Sequence, residues 1–271
     1  MMNRESSIKP QTQEEIVARQ SARDPAITCE TAYYKCGEAW LPIDVYRPNA
    51  EKYPGVRPGI LFIFGGGFRV GTRLAFREHA LICAKQGYVA FSADYRIASL
   101  FDVTAEDSIR DGALAWQYIR KTAEDWQVDP DKIVLAGGSA GATIATMCGP
   151  LTGEYPAGLV LFNPGILDRN DPQSALKKLI DWDMDGVPVT CTTSVQAGMP
   201  PMLVMHGEKD QLVPISTVRS YVEHAKTQGV DAKLVVYPDA THGFFNFNRS
   251  RAHFLLTMGE TLLFLEKLFT D

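Results

Sequence analysis

The stretch Ile133-Val134-Leu135-Ala136-Gly137-Gly138-Ser139-Ala140-Gly141 runs from four apolar residues into a serine flanked by glycines, and the helix-compatible Ala142-Thr143-Ile144-Ala145-Thr146-Met147 follows. A short apolar run, a sharp turn and a helix form the setting of a G-x-S-x-G nucleophile elbow. A serine hydroxyl attacks poorly unless a base takes its proton and the backbone holds it clear of the sheet. The strand-to-helix turn meets the second need, and Gly137 and Gly141 keep Cβ atoms out of a crowded backbone crossing. Glycine-rich strand–helix turns are common, so the pentapeptide must be read with its company.

That company is Asp210 and His242. Met202-Leu203-Val204-Met205 is an apolar run ending in His206-Gly207-Glu208-Lys209-Asp210, which puts Asp210 on the loop leaving a buried strand. A second run, Ala232 to Tyr237, leads through Pro238-Asp239-Ala240-Thr241 to His242. Taken singly, Asp210 also reads as a turn or N-cap aspartate and His242 as a loop histidine. Together, each just past a strand and in the order Ser, Asp, His, they read as a nucleophile, an orienting acid and a base. Asp239 is the rival acid, but three residues before His242 it would have to double back along the same loop.

Acyl transfer builds negative charge on a carbonyl oxygen, which needs N–H donors already in place. Ile60-Leu61-Phe62-Ile63-Phe64 reads as a buried strand and runs into Gly65-Gly66-Gly67-Phe68. The amides of Gly66, Gly67 and Ala140 are the expected oxyanion hole; a plain tight turn is the alternative use of those glycines. Phe68, beside the hole, and Phe244, beside His242, are the expected substrate-side aromatics. Phe64 continues the apolar run and should lie buried beneath the loop.

Phe64-Gly65-Gly66-Gly67, Asp94-Tyr95-Arg96, Gly137-Gly138-Ser139-Ala140-Gly141, His206 to Asp210 and Thr241-His242-Gly243-Phe244 together resemble the α/β-hydrolase esterases. The likeness runs over roughly residues 38 to 269 and is strongest to the hormone-sensitive-lipase-like and acetylxylan/feruloyl carbohydrate esterase branch. The resemblance implies an α/β-hydrolase fold, with a mostly parallel central sheet flanked by helices and a small lid insertion. It also implies a Ser139-His242-Asp210 triad, an acyl-enzyme, and neither cofactor nor metal. Two features depart from the pattern. The family usually has histidine where Phe64 stands, and hormone-sensitive-lipase relatives commonly have Asp before the serine and Gly-Gly after the alanine. Gly138 and Gly141-Ala142 fit the carbohydrate-esterase side better.

Bulk properties agree. The 271 residues suit one α/β domain with a sizeable core. A net charge of −5 without a Lys/Arg cluster argues against nucleic acid or an anionic membrane as partner. No apolar stretch reaches transmembrane length, and the polar Met1 to Arg19 is not expected to act as a signal peptide. The five cysteines lack C-x-x-C spacing, so a reduced, cytoplasmic protein without a metal site is expected, a monomer or homodimer acting on a small-molecule ester. Cys83 and Cys148 read as buried small hydrophobes.

The chain divides into an N-terminal extension over residues 1–25 and an α/β-hydrolase domain over 26–271. Strands are expected at 28–34, 39–46, 60–64, 88–93, 133–136, 158–162, 202–205 and 232–237, and helices at 73–86, 104–122, 215–228 and 252–268, with Asp129-Pro130-Asp131 turning into the nucleophile strand. Alternating strands and helices place a site at the strands' C-terminal ends. The insert at about 165–200 breaks the alternation. Its Asp168, Asp171, Asp181, Asp183 and Asp185 make it polar, which suits a water-soluble ester better than a long acyl chain.

These readings give a serine carboxylesterase for short-chain acyl esters, extending to acetyl or other acyl groups on sugars. His206 is expected to be structural, His79, His224 and His253 to be surface or packing residues, and Asp94 and Arg96 to form a turn and ion-pair element. A small serine peptidase of the prolyl-oligopeptidase type would use the same triad but normally carries a gating domain. A non-catalytic ligand-binding homologue would have lost the histidine that His242 supplies.

Overall fold

The computed structural model describes residues 26–166 and 195–270. The extension expected over residues 1–25, most of the insert and Cys191 lie outside the described residues.

Ile27–Cys36 (β1) and Ala39–Pro48 (β2) form an antiparallel pair, and β2 also runs antiparallel to Val89–Ala93 (β4). The remaining strands are parallel: Arg57–Ile63 (β3), Val128–Gly138 (β5), Gly158–Phe162 (β6), Met202–Gly207 (β7) and Ala232–Tyr237 (β8). The eight-stranded sheet has the order β1-β2-β4-β3-β5-β6-β7-β8. Its central strands are continuous apolar runs because helices cover both faces, so every residue of β4, β6 and β7 is buried.

The helices are Arg77–Lys85 (α1), Ala105–Lys121 (α2), Ala140–Thr152 (α3), Ile215–Thr227 (α4) and Arg251–Thr270 (α5). Thr104 and Asp107 close a capping box at the start of α2, whose buried face carries Ile109, Ala113, Trp116 and Ile119. Residues 140 to 149 of α3 are all buried, and small side chains let α2 and α3 approach closely. A Cβ at Gly112 would fall 2.0 Å from Ile144 Cγ2.

Two local expectations are corrected. The helix expected over 73–86 opens as a 3-10 turn, Arg73–Phe76, before α1. The Thr72 hydroxyl accepts from Leu74 N at 3.3 Å, and Asp94 Oδ1 accepts from Arg73 N at 2.5 Å, so the first turn is held from outside. Asp129-Pro130-Asp131 lies within β5 rather than ahead of it. The register against β3 jumps from Arg57↔Val128 to Gly59↔Ile133, and the extra residues form a bulge in which Asp129 Oδ1 accepts from Asp131 N.

The ion-pair role expected of Asp94 and Arg96 involves separate partners. Arg73, itself buried, bridges Asp44 of β2 (2.8 Å) and Asp94 just past β4 (2.9 Å). Arg96 makes a bidentate pair with Asp111 of α2, both contacts at 2.8 Å. These bonds tie the loops above the C-terminal ends of β3 and β4 to β2 and to α2.

Candidate active site

Ser139 stands between β5 and α3 with φ 52° and ψ −119°, a backbone that L residues adopt only under constraint. Two glycines make the constraint possible. A Cβ at Gly137 would lie 2.2 Å from Gly141 O, and one at Gly141 2.1 Å from Ile63 O, so any side chain at either position would open the elbow. The serine backbone is bracketed by the segment after β6: Ser139 N donates to Phe162 O at 2.9 Å, and Gly165 N donates to Ser139 O at 3.1 Å.

Asp210 and His242 leave β7 and β8 on adjacent loops and meet Ser139 in one line. His242 Nε2 is 2.9 Å from Ser139 Oγ, and Nδ1 is 2.7 Å from Asp210 Oδ2. A carboxylate can only accept, so Nδ1 carries the proton and Nε2 turns its lone pair to the serine. Asp210 Oδ1 accepts from Leu212 N and Val213 N at 2.9 and 3.0 Å. Burial works against this carboxylate's charge. The bonds from His242 and Val213, with the nearby imidazoles, outweigh burial and hold it below the usual range. The rival Asp239 faces solvent, its side chain 84% exposed and paired with Lys209 at 2.7 Å.

His206 is buried beneath this line and donates from Nε2 to Val213 O at 2.9 Å. Burial pushes its imidazole below the ordinary value, against the pull of the Val213 carbonyl and Asp210. It holds the turn that presents Asp210. His79 of α1 is fully buried, a packing residue. His224 and His253 lie on α4 and α5.

The loop after β3 carries the other half of the site. Gly66 and Gly67 have φ 121° and 62°, and Gly66 O accepts from Arg69 N and Val70 N, which curls the loop back on itself. A Cβ at Gly66 would fall 1.8 Å from Val70 O. A Cβ at Gly65 would lie 3.1 Å from Ser139 Cβ, so this loop passes directly beside Ser139. Among the described residues the amides of Gly66, Gly67 and Ala140 donate to no backbone carbonyl. Phe64 is 1% exposed beneath the loop. Phe68, also at positive φ (61°), is 5% exposed, and its carbonyl accepts from Ala98 N. Phe244, expected on the substrate side, has its ring buried against Tyr237, Phe245 and His253, a packing position behind the histidine loop.

One residue at the site escaped the sequence reading. Asn163, just past β6, is buried at φ 33°, with its side chain reaching His242 and Gly243. In sequence it is an Asn-Pro loop pair like any other; its only signal is that it follows a strand's C-terminal end. Among the described residues no group of three or more His, Cys, Asp or Glu could hold a metal ion. No helix among them is long and apolar enough to cross a membrane.

The BD-FAE family model matches residues 43–182, and the prolyl oligopeptidase family model matches 188–268. The chain is 32% identical to Thermogutta terrifontis esterase 2 in its apo form, with a TM-score of 0.81 over 89% of this chain and 95% of that one. A propionate-bound structure of the same esterase matches with a TM-score of 0.78 at 32% identity, covering 89% of this chain and 94% of that one. The probable carboxylic ester hydrolase LipM of Mycobacterium tuberculosis is 25% identical over 85% of this chain. This chain spans only 59% of LipM's length.

Proposed function

Because the chain belongs to the α/β-hydrolase esterase family, we propose that it is a serine carboxylesterase for small, short-chain acyl esters, working through Ser139, His242 and Asp210. The observation that carries this reading is the hydrogen-bonded line from Ser139 Oγ through His242 to Asp210. His242 Nε2 takes the serine proton as Oγ attacks the ester carbonyl, and Asp210 stabilises the resulting imidazolium. The tetrahedral oxyanion forms against the amides of Gly66, Gly67 and Ala140, which have no competing backbone acceptor among the described residues. The imidazolium then gives its proton to the leaving alcohol, and an acyl-enzyme remains on Ser139. Water, deprotonated by the same imidazole, attacks that ester, and the departing serine oxygen recovers its proton.

We take Phe68, at positive φ in the loop that carries Gly66 and Gly67, as the acyl-side wall, and a bulky ring there favours short acyl groups. The propionate-bound structure of the Thermogutta relative supports the same size class. The polar insert around residues 165–200 suits a hydrophilic alcohol, and acetylated sugars belong to that class. A peptidase reading has one observation behind it, the prolyl oligopeptidase match over 188–268, a stretch containing Asp210 and His242. Both reactions use those two residues, so the leaving group distinguishes them. Initial rates on p-nitrophenyl acetate through laurate, acetylated xylose oligomers, feruloyl esters and a prolyl anilide test the reading. Esterase turnover without anilide cleavage is expected; anilide cleavage at a comparable kcat/KM would replace it with the peptidase.

A further inference from the structure

We propose that Asn163 is a positioning residue that joins the nucleophile elbow to the histidine loop and shares the lone pair of His242 with Ser139. The inference rests on the triad reading and adds to it a group outside the triad and the oxyanion hole.

The amide's orientation follows from its partners. Gly243 N–H can only donate, so the Asn163 atom 2.9 Å from it is the acceptor Oδ1. Nδ2 therefore faces His242 Nε2, at 3.3 Å. With the ring proton on Nδ1, Nε2 has one lone pair, and it receives Ser139 Oγ–H at 2.9 Å and the Asn163 amide together. The backbone of Asn163 is anchored as firmly: its N–H donates to Met205 O at 2.7 Å, and its neighbours Phe162 and Gly165 bond to both sides of Ser139. One residue thus spans three of the strand ends that make the site.

The arrangement has a chemical consequence. Gly243 directly follows His242, so the Oδ1 bond fixes the loop at the point where the imidazole leaves the backbone. When Nε2 takes the serine proton, the lone pair disappears and the Nδ2 contact becomes donor against donor. The Nδ2 contact is therefore made at rest and released as the proton arrives. The charged or titratable groups facing His242 from other elements are Asp210 beyond β7, His206 at the end of β7, and Arg249, which donates to His242 O at 2.7 Å. Asn163 is the neutral member of that ring.

Two variants separate this role from a structural one. Asn163→Gly accepts the positive φ without strain and removes only the side chain. It should fold and bind substrate with little change in KM, but lose about tenfold in kcat, because the Oδ1 bond that fixes the histidine loop is lost and this outweighs release of the Nδ2 contact. Asn163→Asp keeps an acceptor for Gly243 N but sets a carboxylate against Nε2. That charge favours the imidazolium, so the acid limb of its kcat/KM profile should move to higher pH by about one unit. A folded Asn163→Gly enzyme with wild-type kcat, or an Asn163→Asp profile with an unmoved acid limb, would overturn the proposal. A wild-type enzyme whose turnover survives Ser139→Ala would instead refute the triad reading, a separate outcome measured in the same assay.

Discussion

Phe64 and Tyr95 lie flat on one another, with ring centroids 4.2 Å apart and planes 12° from parallel. Tyr95 also donates its hydroxyl to Phe64 O at 3.0 Å, so the residue entering the glycine loop is held by stacking and by a hydrogen bond. The far end of the loop presses on the same ring: a Cβ at Gly71 would meet Phe64 Cδ2 at 2.5 Å. Histidine is usual here in the esterases this chain resembles, and the ring serves as a floor for the loop rather than as a reactant.

Phe64→His should therefore keep kcat within about tenfold, since imidazole can stack on Tyr95 but fills less space. Phe64→Ala should cost about 3–5 kcal/mol of stability, as for a fully buried aromatic removed from a packed core. Steady-state rates and urea unfolding of both variants check this. A folded Phe64→His enzyme down by 10² to 10³ in kcat, the scale of a lost oxyanion donor, would mean the ring shapes the hole itself.

Arg73 makes a second prediction. Replacing it with methionine leaves Asp44, which is fully buried, without its cation, and breaking a buried pair on one side costs about 3–5 kcal/mol. The bond from Arg73 N to Asp94 Oδ1 uses the backbone amide and survives, so the loop should keep its path. The expected result is a large drop in the urea midpoint with KM for short esters little changed. Unaltered stability would show that the pair is compensated elsewhere.

How much of this could be read from the chain depended on sequence distance. The elbow, the glycine loop and the strand-end positions of Asp210 and His242 are local patterns, legible because a strand, a turn and a helix each leave their own period. Asn163 and Arg73 were not legible in the same way. Asn163 acquires its meaning from His242, 79 residues away, and Arg73 from Asp44 within β2 and Asp94 just past β4. Phe244 shows the converse. Adjacency to His242 in sequence suggested the substrate side, whereas the turn after Gly243 sends its ring into the core.

His79 predicts acid sensitivity. It is fully buried among Phe76, Phe162, Phe245 and Phe254, and burial pushes its imidazole from 6.5 down to about 3, opposed only by the Phe245 backbone. The unfolded chain therefore binds a proton that the folded one refuses between pH 6.5 and 3, and stability falls as pH drops through that window. The full effect is on the order of 5 kcal/mol. His206, also lowered by burial, adds in the same direction, whereas the depressed Asp210 adds its loss only below about pH 4. His79→Leu should flatten the dependence of the urea midpoint between pH 6.5 and 4. A variant as acid-sensitive as wild type would place the cause elsewhere.

Acyl-chain preference should be short. An apolar trough would return about 0.8 kcal/mol for each added CH₂, so kcat/KM would climb with chain length. With Phe68 as the acyl-side wall, rates should peak between acetate and butyrate and fall by decanoate. Phe68→Ala should shift the peak to longer chains. Rising rates out to laurate in the wild type, or a Phe68→Ala profile identical to it, would remove Phe68 from the acyl site.

The central claim is that Ser139 is the nucleophile, activated by His242 and Asp210. Its most direct measurement is intact-mass and peptide-mass analysis after treatment with a fluorophosphonate, beside ester hydrolysis by wild type and Ser139→Ala. A single phosphonyl adduct per chain is expected, located on Ser139, with activity lost in step. Ser139→Ala should take no adduct and lose on the order of 10⁶ in kcat. An adduct on another residue, or Ser139→Ala turning over esters at a wild-type rate, would contradict it.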